Sequence, residues 1–293
     1  MALLIAPSAY GQLGNRLFTA GHLLAFAVEH GHTVLNLGLA EYARYFESAH
    51  KDSLCMYPPV LRLPTAHSTR NQLRKINERV AYYLLNKPTA FARTCSAHYT
   101  EGEFAEFQLD DPEFLQLIRS TPLVYMLGWS FRSHKNFEKH GDAIRDYFTP
   151  RLLHQKKVSQ CLDRVRSQGE TIVGIHIRHG DYSTYLGGRY YYSIEQYIRL
   201  MRGVGDLFSG KQVVYLVCSN SQFSANDFPG LNVVIGNGHI IEDMYSFAQC
   251  DYLLGPVSTY TLWASFYGEV PLYRVENPDR DFSLSDFKTY LDG

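Results

Sequence analysis

The chain has 293 residues. At about 150 residues per domain, this length predicts two domains and a core large enough to fold without disulfides or a structural metal. Lys and Arg number 28 against 29 acidic residues, a balance that argues against nucleic-acid binding and predicts at most a loose association with a membrane surface. The five cysteines lack CxxC spacing, which disfavours a zinc site and, with no signal-peptide pattern, predicts a soluble, cytoplasmic protein.

The first half of the chain alternates short apolar runs with amphipathic ones. The predicted elements are strands at 3–6, 33–37 and 123–127, and helices that end at Gly31, span 72–85 and begin at Asp111. A glycine-bearing turn at 11–15 follows the first strand, and residues 40–110 otherwise show little periodicity.

A polar, helix-prone stretch over 137–166, interrupted at Pro150, predicts a boundary between an N-terminal domain of residues 1–150 and a C-terminal domain of residues 151–293. The second half contains predicted strands at 171–177, 213–217, 233–235, 252–254 and 270–273, and predicted helices at 194–201, at 241–249 and from 259. Strand–helix–strand alternation in both halves predicts an α/β fold whose parallel sheets are covered by helices on both faces.

The clearest chemical signal is the segment TIVGIHIRHGDY at 171–182. Side chains alternate along a strand, so His176 and Arg178 are expected on the same face at its carboxyl end, where open parallel sheets bind ligands. The planar fork of Arg178 suits a diphosphate, Gly180 lets the loop approach a ligand closely, and Asp181 is placed to brace the loop. The structural alternative is a strand that ends in a polar turn with a surface ion pair.

A second signal extends from residue 241 to residue 266. Glu242 and Asp243 open a helix, and Ser258 and Thr259 open the next one after a short strand. Backbone N–H groups and hydroxyls at a helix start suit an anion, and a carboxylate suits the adjacent N–H donors of guanine. The structural alternative is that the acids complement a helix dipole and the hydroxyls only cap a helix.

The turn at 11–15 contains Gly11, Gly14 and Asn15 and resembles a phosphate-binding turn, although it lacks GxGxxG spacing and a P-loop lysine. A turn that only needs glycine geometry explains the pattern equally well. The sequence contains no HExxH or GxSxG motif, and its histidines show no ligand spacing, so neither a metal nor a cofactor is expected.

Four motifs, in order, resemble glycosyltransferase family 11, the α-1,2-fucosyltransferases, in its soluble bacterial form. The family's GxLGNxxF turn matches residues 11–18, and its aromatic segment matches residues 128–137. Its HxRRGDY signature matches residues 176–182, and its acidic helix start with the following hydroxyl-rich loop matches residues 242–266. Two departures stand out: His179 replaces the second arginine of the signature, and residues 258–263 replace the usual SxFSWW.

The resemblance implies a GT-B fold, in which two Rossmann-like domains face each other across a cleft. It places the acceptor on the N-terminal domain and the GDP-sugar donor on the C-terminal domain. The implied activity is that of an inverting, metal-independent transferase that moves L-fucose from GDP-fucose, a substrate rather than a cofactor, to the 2-hydroxyl of a galactose in an oligosaccharide.

By position, the resemblance gives catalytic roles to Arg178, at the β-phosphate, and to Asn15, near the sugar end of the donor. The implied donor contacts are His176, Arg178, Gly180, Asp181, Asp243, Ser258, Thr259 and Gly14. Acceptor contacts are expected from residues 40–110, and no catalytic base is assigned.

Two alternatives stay open. His179 removes a permanent positive charge from the signature, so the same fold could use another GDP-deoxysugar. A catalytically silent carbohydrate- or nucleotide-binding module would bind sugar or GDP without turnover.

Overall fold

A computed structural model describes residues 1–50, 54–58, 67–97 and 106–292. The chain divides into two compact units, Met1–Arg151 and Leu152–Gly293. Each unit is built around a five-stranded, mainly parallel sheet. Within the described residues, no helix has the length and apolar character needed to cross a bilayer.

The N-terminal unit forms one five-stranded sheet and a separate two-stranded pair. Its strands are β1 (Leu3–Ala6), β2 (Thr33–Asn36), β3 (Met56–Tyr57), β4 (Ala92–Ala97), β5 (Phe107–Gln108), β6 (Leu123–Gly128) and β7 (Phe131–Arg132). Its helices are α1 (Leu13–His30), α2 (Glu47–His50), α3 (His67–Asn86), α4 (Pro112–Ser120), α5 (His134–Lys139) and α6 (Gly141–Tyr147). The sheet order is β3-β2-β1-β6-β4; β3 is antiparallel to β2, and the other neighbours are parallel.

Local sequence signals explain two of the helix ends in this unit. Helix α1 ends at Gly31, which adopts the left-handed conformation (φ 67°) and returns its N–H to the carbonyl of Ala27. Helix α4 begins where Oδ1 of Asp111 accepts the backbone N–H of Glu113 at 2.9 Å, with Pro112 in the first turn. Both ends lie where the sequence predicts them.

The C-terminal unit has a sheet of five parallel strands in the order β10-β9-β8-β11-β12. The strands are β8 (Thr171–Ile177), β9 (Val213–Ser219), β10 (Val233–Ile235), β11 (Tyr252–Pro256) and β12 (Leu272–Val275). The helices are α7 (Leu152–Arg166), α8 (Ile194–Leu207), α9 (Ile240–Phe247) and α10 (Thr259–Gly268). All seven residues of the central strand β8 are buried, as expected for a strand covered on both faces.

The alternation along β8 separates its two faces. Val173, Ile175 and Ile177 join the core cluster that contains Leu200 and Met201 of α8. Helix α8 runs past its predicted end at residue 201 because Gly203 and Gly205 do not break it. A Cβ at Gly203 would lie only 3.2 Å from the ring of Phe282, so glycine there lets the helix pack closely.

The order of strands creates a switch point in each sheet. The chain passes from β8 to β9 on one side and later returns to β11 on the other side of β8. In the N-terminal sheet the same reversal lies between β1 and β6. Ligands in open parallel sheets bind outside the carboxyl ends of the strands at such points, so these two edges are the places to look for a site.

Candidate functional site

Arg178 follows β8 at the carboxyl edge of the C-terminal sheet. Its side chain is only 16% exposed, and Nη2 lies 2.8 Å and 3.0 Å from the two carboxylate oxygens of Asp181. The guanidinium carbon also lies 5.3 Å from the ring centroid of Tyr182. A carboxylate and an aromatic ring therefore hold this cation in one orientation.

Tyr182 connects the Arg178 loop to the start of α10. Its hydroxyl donates to the carbonyl of Val257 at 2.9 Å, and Val257 precedes Ser258, the N-cap residue of α10. Since β8 and β11 are parallel neighbours, both loops emerge at the same edge. The structure thus brings the predicted segments around Arg178 and Ser258 together.

Ser258 acts as a helix cap in this structure. Its Oγ accepts the backbone N–H of Tyr260 at 3.2 Å, and its carbonyl accepts the hydroxyl of Thr261 at 3.1 Å. Thr259 is the first residue of α10 and is half-buried. The first backbone N–H groups of a helix have no intrahelical acceptor, so this end can bind an anion in addition to being capped.

His176 lies beneath this edge, 5% exposed, with its ring 5.1 Å from that of Tyr260 and 6.1 Å from that of Phe247. Its Nδ1 is buried and has no hydrogen-bond partner among the described atoms. Burial, and to a smaller degree the charge of Arg178, lower the pKa of His176 to about 3, so the ring is neutral at neutral pH. A buried nitrogen without a hydrogen-bond partner is costly, and such a group in a native structure calls for an explanation.

Two glycines allow this packing. Gly255 of β11 lies against His176, because a Cβ at Gly255 would sit 2.9 Å from the Cβ of His176. Gly180 has φ 60°, and a Cβ there would lie 2.8 Å from Nδ2 of Asn220. Only glycine therefore fits both the conformation and the space at position 180.

Asn220 is a residue that the sequence interpretation missed. It follows β9, and its Oδ1 accepts the N–H of His179 at 2.8 Å while its Nδ2 donates to the carbonyl of His179 at 3.0 Å. These two bonds fix the backbone next to Arg178. The rule that parallel strands end at one edge points to Asn220 only once the strand is known to reach Ser219, two residues beyond its predicted end at residue 217.

The side chain of His179 turns to the other side of the sheet. Its Nε2 lies 2.8 Å from the carbonyl of Tyr192, and its ring stacks on that of Tyr191 with centroids 4.5 Å apart. Tyr192 belongs to the core cluster on the α8 side of β8. Position 179 therefore contributes to packing, whereas Arg178 supplies the cation at the edge.

Asp243 is buried in the first turn of α9. Its Oδ1 accepts the backbone N–H of Asn237 at 2.8 Å, which closes the loop between β10 and α9. Burial raises the pKa of Asp243 to about 6. The structure thus engages this carboxylate with the backbone of its own loop.

The acid beside it belongs to a buried ion-pair network. Glu242 accepts from Nδ1 of His154 at 3.0 Å and lies 3.2 Å from Nζ of Lys157. His154, His239 and Glu242 form the one group in the described chain whose ligand atoms lie within 4.8 Å of one another, as a metal site would need. Nδ1 of His239, however, accepts the backbone N–H of Ile241, and Lys157 already provides the positive charge beside the acid.

The turn after β1 lies at the carboxyl edge of the N-terminal sheet. Gly11 has φ 67°, and a Cβ there would clash with the side chain of Asn15. Nε of Arg16 donates to the carbonyl of Gly11 at 3.1 Å. Gly14 is buried within the first turn of α1, and Asn15 beside it is half-buried.

A pocket of about 350 Å³ opens next to this turn in the N-terminal unit. It is lined by Ala9, Tyr10, Arg16, Leu37, Gly38, Ala40, Glu41, Asn71, Arg74 and Glu78. Its charges form two ion pairs, Arg16 with Glu41 at 2.9 Å and Arg74 with Glu78 at 3.1 Å. Such a balanced, polar lining suits a neutral ligand rich in hydroxyl groups. Residues 51–53, 59–66 and 98–105, from the region where acceptor contacts are expected, lie outside the described residues.

No protein-family model matches the chain, and no curated protein matches it by sequence. Solved structures do match it. A mutant of Arabidopsis thaliana FUT1 in complex with GDP aligns with 94% of this chain and 72% of its own at 14% identity and a TM-score of 0.62. The α-1,6-fucosyltransferase NodZ soaked with GDP-fucose aligns over 96% and 98% at 16% identity and a TM-score of 0.57. POFUT1 in complex with GDP-fucose aligns over 92% and 95% at 11% identity and a TM-score of 0.53.

These likenesses concern the fold. They confirm the predicted fold class, an α/β protein with two Rossmann-like units of the GT-B kind.

Proposed function

We propose that this protein is an inverting glycosyltransferase that moves L-fucose from GDP-fucose to the 2-hydroxyl of a galactose in an oligosaccharide. One observation supports it most directly. At the switch point between β8 and β11, a held guanidinium (Arg178), the start of helix α10 and an unpaired buried nitrogen (Nδ1 of His176) converge. This combination suits a ligand with a diphosphate and further hydrogen-bonding groups.

GDP-sugars have this chemistry. Two of the three solved neighbours described above are complexes with GDP or GDP-fucose, and the third was soaked with GDP-fucose. In the proposed complex the pyrophosphate accepts from Arg178 and from the N–H groups of the first turn of α10. The neutral ring of His176 bonds to an atom of the nucleotide. Gly180 and Asp181 keep the loop close to the phosphates, while Asp243 and the hydroxyls of Ser258 and Thr259 complete the proposed donor contacts.

The proposed chemical step needs a stabilised leaving group. The oxygen of the acceptor hydroxyl forms a bond to the anomeric carbon as the bond from that carbon to the phosphate oxygen breaks. The electron pair of the broken bond leaves with GDP, and the proton of the acceptor hydroxyl passes to solvent. Negative charge grows on the phosphate during this step, and Arg178 with the helix N–H groups stabilises it in place. Asn15 and Gly14 remain proposed contacts at the sugar end of the donor.

The proposed α-1,2 linkage depends on the ordered sequence motifs. The solved neighbours include an α-1,6-fucosyltransferase, so the likeness of fold does not support the α-1,2 linkage. The balanced charge of the N-terminal pocket supports a neutral oligosaccharide as the acceptor.

One structural observation favours a second candidate, a transferase for another GDP-deoxysugar. The His179 ring is stacked on Tyr191 and bonded to the backbone, so the edge has one arginine where the family signature has two. A donor contact that depends on the second guanidinium would be absent, and this difference would change the preference among GDP-sugars.

The test is a transfer assay with the purified chain, a panel of GDP-sugars and a set of galactose-terminated acceptors. The expected result is GDP release that requires both GDP-fucose and a galactoside, with an α-1,2 linkage in the product by NMR. Faster turnover of another GDP-deoxysugar would favour the second candidate. Binding of GDP without release from any donor–acceptor pair would identify a binding module and refute the enzyme.

A further inference from the structure

Exposed apolar side chains concentrate on helix α3 and the turn after it. Of the fourteen large hydrophobic side chains that are exposed in the described part of the chain, six lie between residues 76 and 91. They are Ile76, Val80, Tyr82, Tyr83, Leu85 and Phe91. Single exposed apolar residues are ordinary, whereas a contiguous group marks a surface that contacts something else.

The helical spacing places part of this group in one stripe. Ile76, Val80 and Tyr83 are separated by four and three residues and so share one face of α3. Ile76 is 54% exposed and Tyr83 is 61% exposed. A neighbouring face of the helix carries Ala81 and Leu84, which are buried in a core cluster of the N-terminal unit. The apolar stripe is therefore additional to the face that holds the helix on its sheet.

The same segment is strongly basic. Residues 70–93 contain six Lys or Arg residues and one acid, Glu78, so the segment carries +5 while the rest of the chain carries −6. Glu78 is already paired with Arg74 at 3.1 Å. Lys75, Arg79 and Lys87 are exposed around the stripe. The near-zero charge of the whole chain hides this local excess.

These features together match the physical chemistry of a bilayer interface. Tyrosine and phenylalanine favour the headgroup region, an apolar stripe inserts at its boundary, and basic residues are attracted to anionic headgroups. A protein–protein interface core is depleted in lysine, and a nucleic acid gains nothing from exposed Ile76 and Val80. The pattern fits an anionic lipid surface best.

We propose that the outer face of α3, with Phe91, is a docking surface for an anionic lipid bilayer. Contact is peripheral: Ile76, Val80 and Tyr83 enter the interface, and the lysines and arginines beside them face the headgroups. Another side of α3 carries Asn71, Arg74 and Glu78, which line the N-terminal pocket. Docking therefore holds that pocket at a fixed distance from the lipid.

The test is flotation of the full chain with vesicles of phosphatidylcholine alone and of an equal mixture of phosphatidylcholine and phosphatidylglycerol. Binding is expected only to the anionic vesicles, and to fall as salt rises from about 0.1 M to about 0.5 M. The double variant K75Q/R79Q should bind about 25-fold more weakly, since each cation near the surface contributes about fivefold. The variant I76S/Y83S should lose binding at low salt as well.

Matched controls come from the other unit. K156Q/K211Q removes two exposed lysines and L153S/L284S removes two exposed leucines, and both should bind vesicles as the parent chain does. Circular dichroism and GDP binding, measured for every variant, separate lost docking from lost folding.

Three outcomes would overturn the proposal. One is the absence of binding to anionic vesicles at low salt. Another is equal binding by the α3 variants and the controls. The third is a change in oligomeric state by I76S/Y83S in sedimentation without any lipid effect, which would make the face a protein interface.

Discussion

The carboxyl edges of the two sheets have the same construction and carry different side chains. Each edge lies where the strand order reverses, between β1 and β6 in the N-terminal unit and between β8 and β11 in the C-terminal unit. The C-terminal edge presents Arg178, whose charge is largely shielded from water, and an unpaired buried nitrogen on His176. The N-terminal edge presents a glycine turn and a pocket whose ion pairs balance each other.

This difference separates what topology provides from what side chains provide. A switch point supplies an open edge in both units. The C-terminal edge combines Arg178, the start of α10 and an unpaired nitrogen on His176, a set that suits a diphosphate with further hydrogen-bonding groups. The N-terminal edge also has a helix start beside a guanidinium, but its pocket holds as many carboxylates as guanidinium groups. The N-terminal pocket, with its paired charges, suits uncharged hydroxyl groups. Variants that act on one edge and spare the other therefore test this comparison.

The largest effect is expected for Arg178→Ala. Loss of a charge-assisted contact to the departing phosphate should lower kcat by about 100-fold or more. Arg178→Lys should recover a minor part, because an ammonium cannot reproduce the bidentate fork. Steady-state kinetics measure both, with Arg199→Ala, an exposed arginine paired with Asp279, as the matched control. Full activity of Arg178→Ala would remove the C-terminal edge from the mechanism.

Gly255→Ala should have the next largest effect. The added Cβ would meet the Cβ of His176 at 2.9 Å, and relief of such overpacking costs about 1–3 kcal/mol of unfolding free energy. Gly11→Ala in the N-terminal turn should destabilise by a similar amount through its positive φ. Denaturant unfolding measures the stability loss and calorimetry the GDP affinity. Only Gly255→Ala should weaken the binding of GDP. An equal loss of GDP affinity in both variants would contradict the assignment of the diphosphate to the C-terminal edge.

The acid sensitivity of stability should include a contribution from His176. Its pKa is about 3 in the folded chain, against an ordinary value of 6.5 for a free histidine. The unfolded state therefore binds the proton first, and stability falls as pH drops from 6.5 towards 3. One such group gives a slope of about 1.4 kcal/mol per pH unit. Asp243, with its raised pKa, opposes this slope below pH 6, so the slopes of parent and variant must be compared.

His176→Asn should reduce the slope of unfolding free energy against pH by about that amount. His22 of the N-terminal unit is also buried, and burial lowers its pKa well below the usual range, so His22→Asn should reduce the slope in the same way. GDP affinity distinguishes the two variants, since only His176→Asn should lower it. Identical slopes for the parent and His176→Asn would show that this histidine is not held neutral.

The smallest effect is expected for Asn220→Ala. The substitution removes the two hydrogen bonds that hold the backbone of His179, at a cost of about 1 kcal/mol, or about fivefold in GDP affinity. Asn232→Ala is the control, because it removes a similar bond to the carbonyl of Gln168 elsewhere in the unit. A positioning role also predicts that Arg178→Ala hides the effect of Asn220→Ala in the double variant. If the losses of GDP affinity in the two single variants add up in the double variant, Asn220 has a structural role only.

The sequence predicted the strongly patterned elements well. Strand β8 has the predicted bounds, and α10 begins at the predicted residue. Strand β4 was missed because its central residues Arg93, Thr94 and Ser96 are polar, and it exists through its pairing with β6. Long-range pairing of this kind cannot be read from local periodicity.

The sequence predicted only part of the candidate site, because the rest of the site depends on how neighbouring strands pair. The family resemblance assigned the segments around Arg178 and Ser258 to one donor site, and the parallel pairing of β8 with β11 brings them to one edge. Asn220 and Gly255 act through the register between neighbouring strands, which a single sequence does not contain. The inward turn of His179 likewise depends on Tyr191 and Tyr192, which are remote from the strand in the chain.

Hydrogen exchange with and without GDP tests the central claim most directly, because it reports where the nucleotide lies. Saturating GDP, which lacks the sugar, should slow amide exchange in residues 178–182 and 258–261 and leave residues 11–16 unchanged. Protection confined to residues 11–16 and the pocket beside them, with the C-terminal edge exchanging as before, would contradict the assignment of the diphosphate to Arg178 and the start of α10.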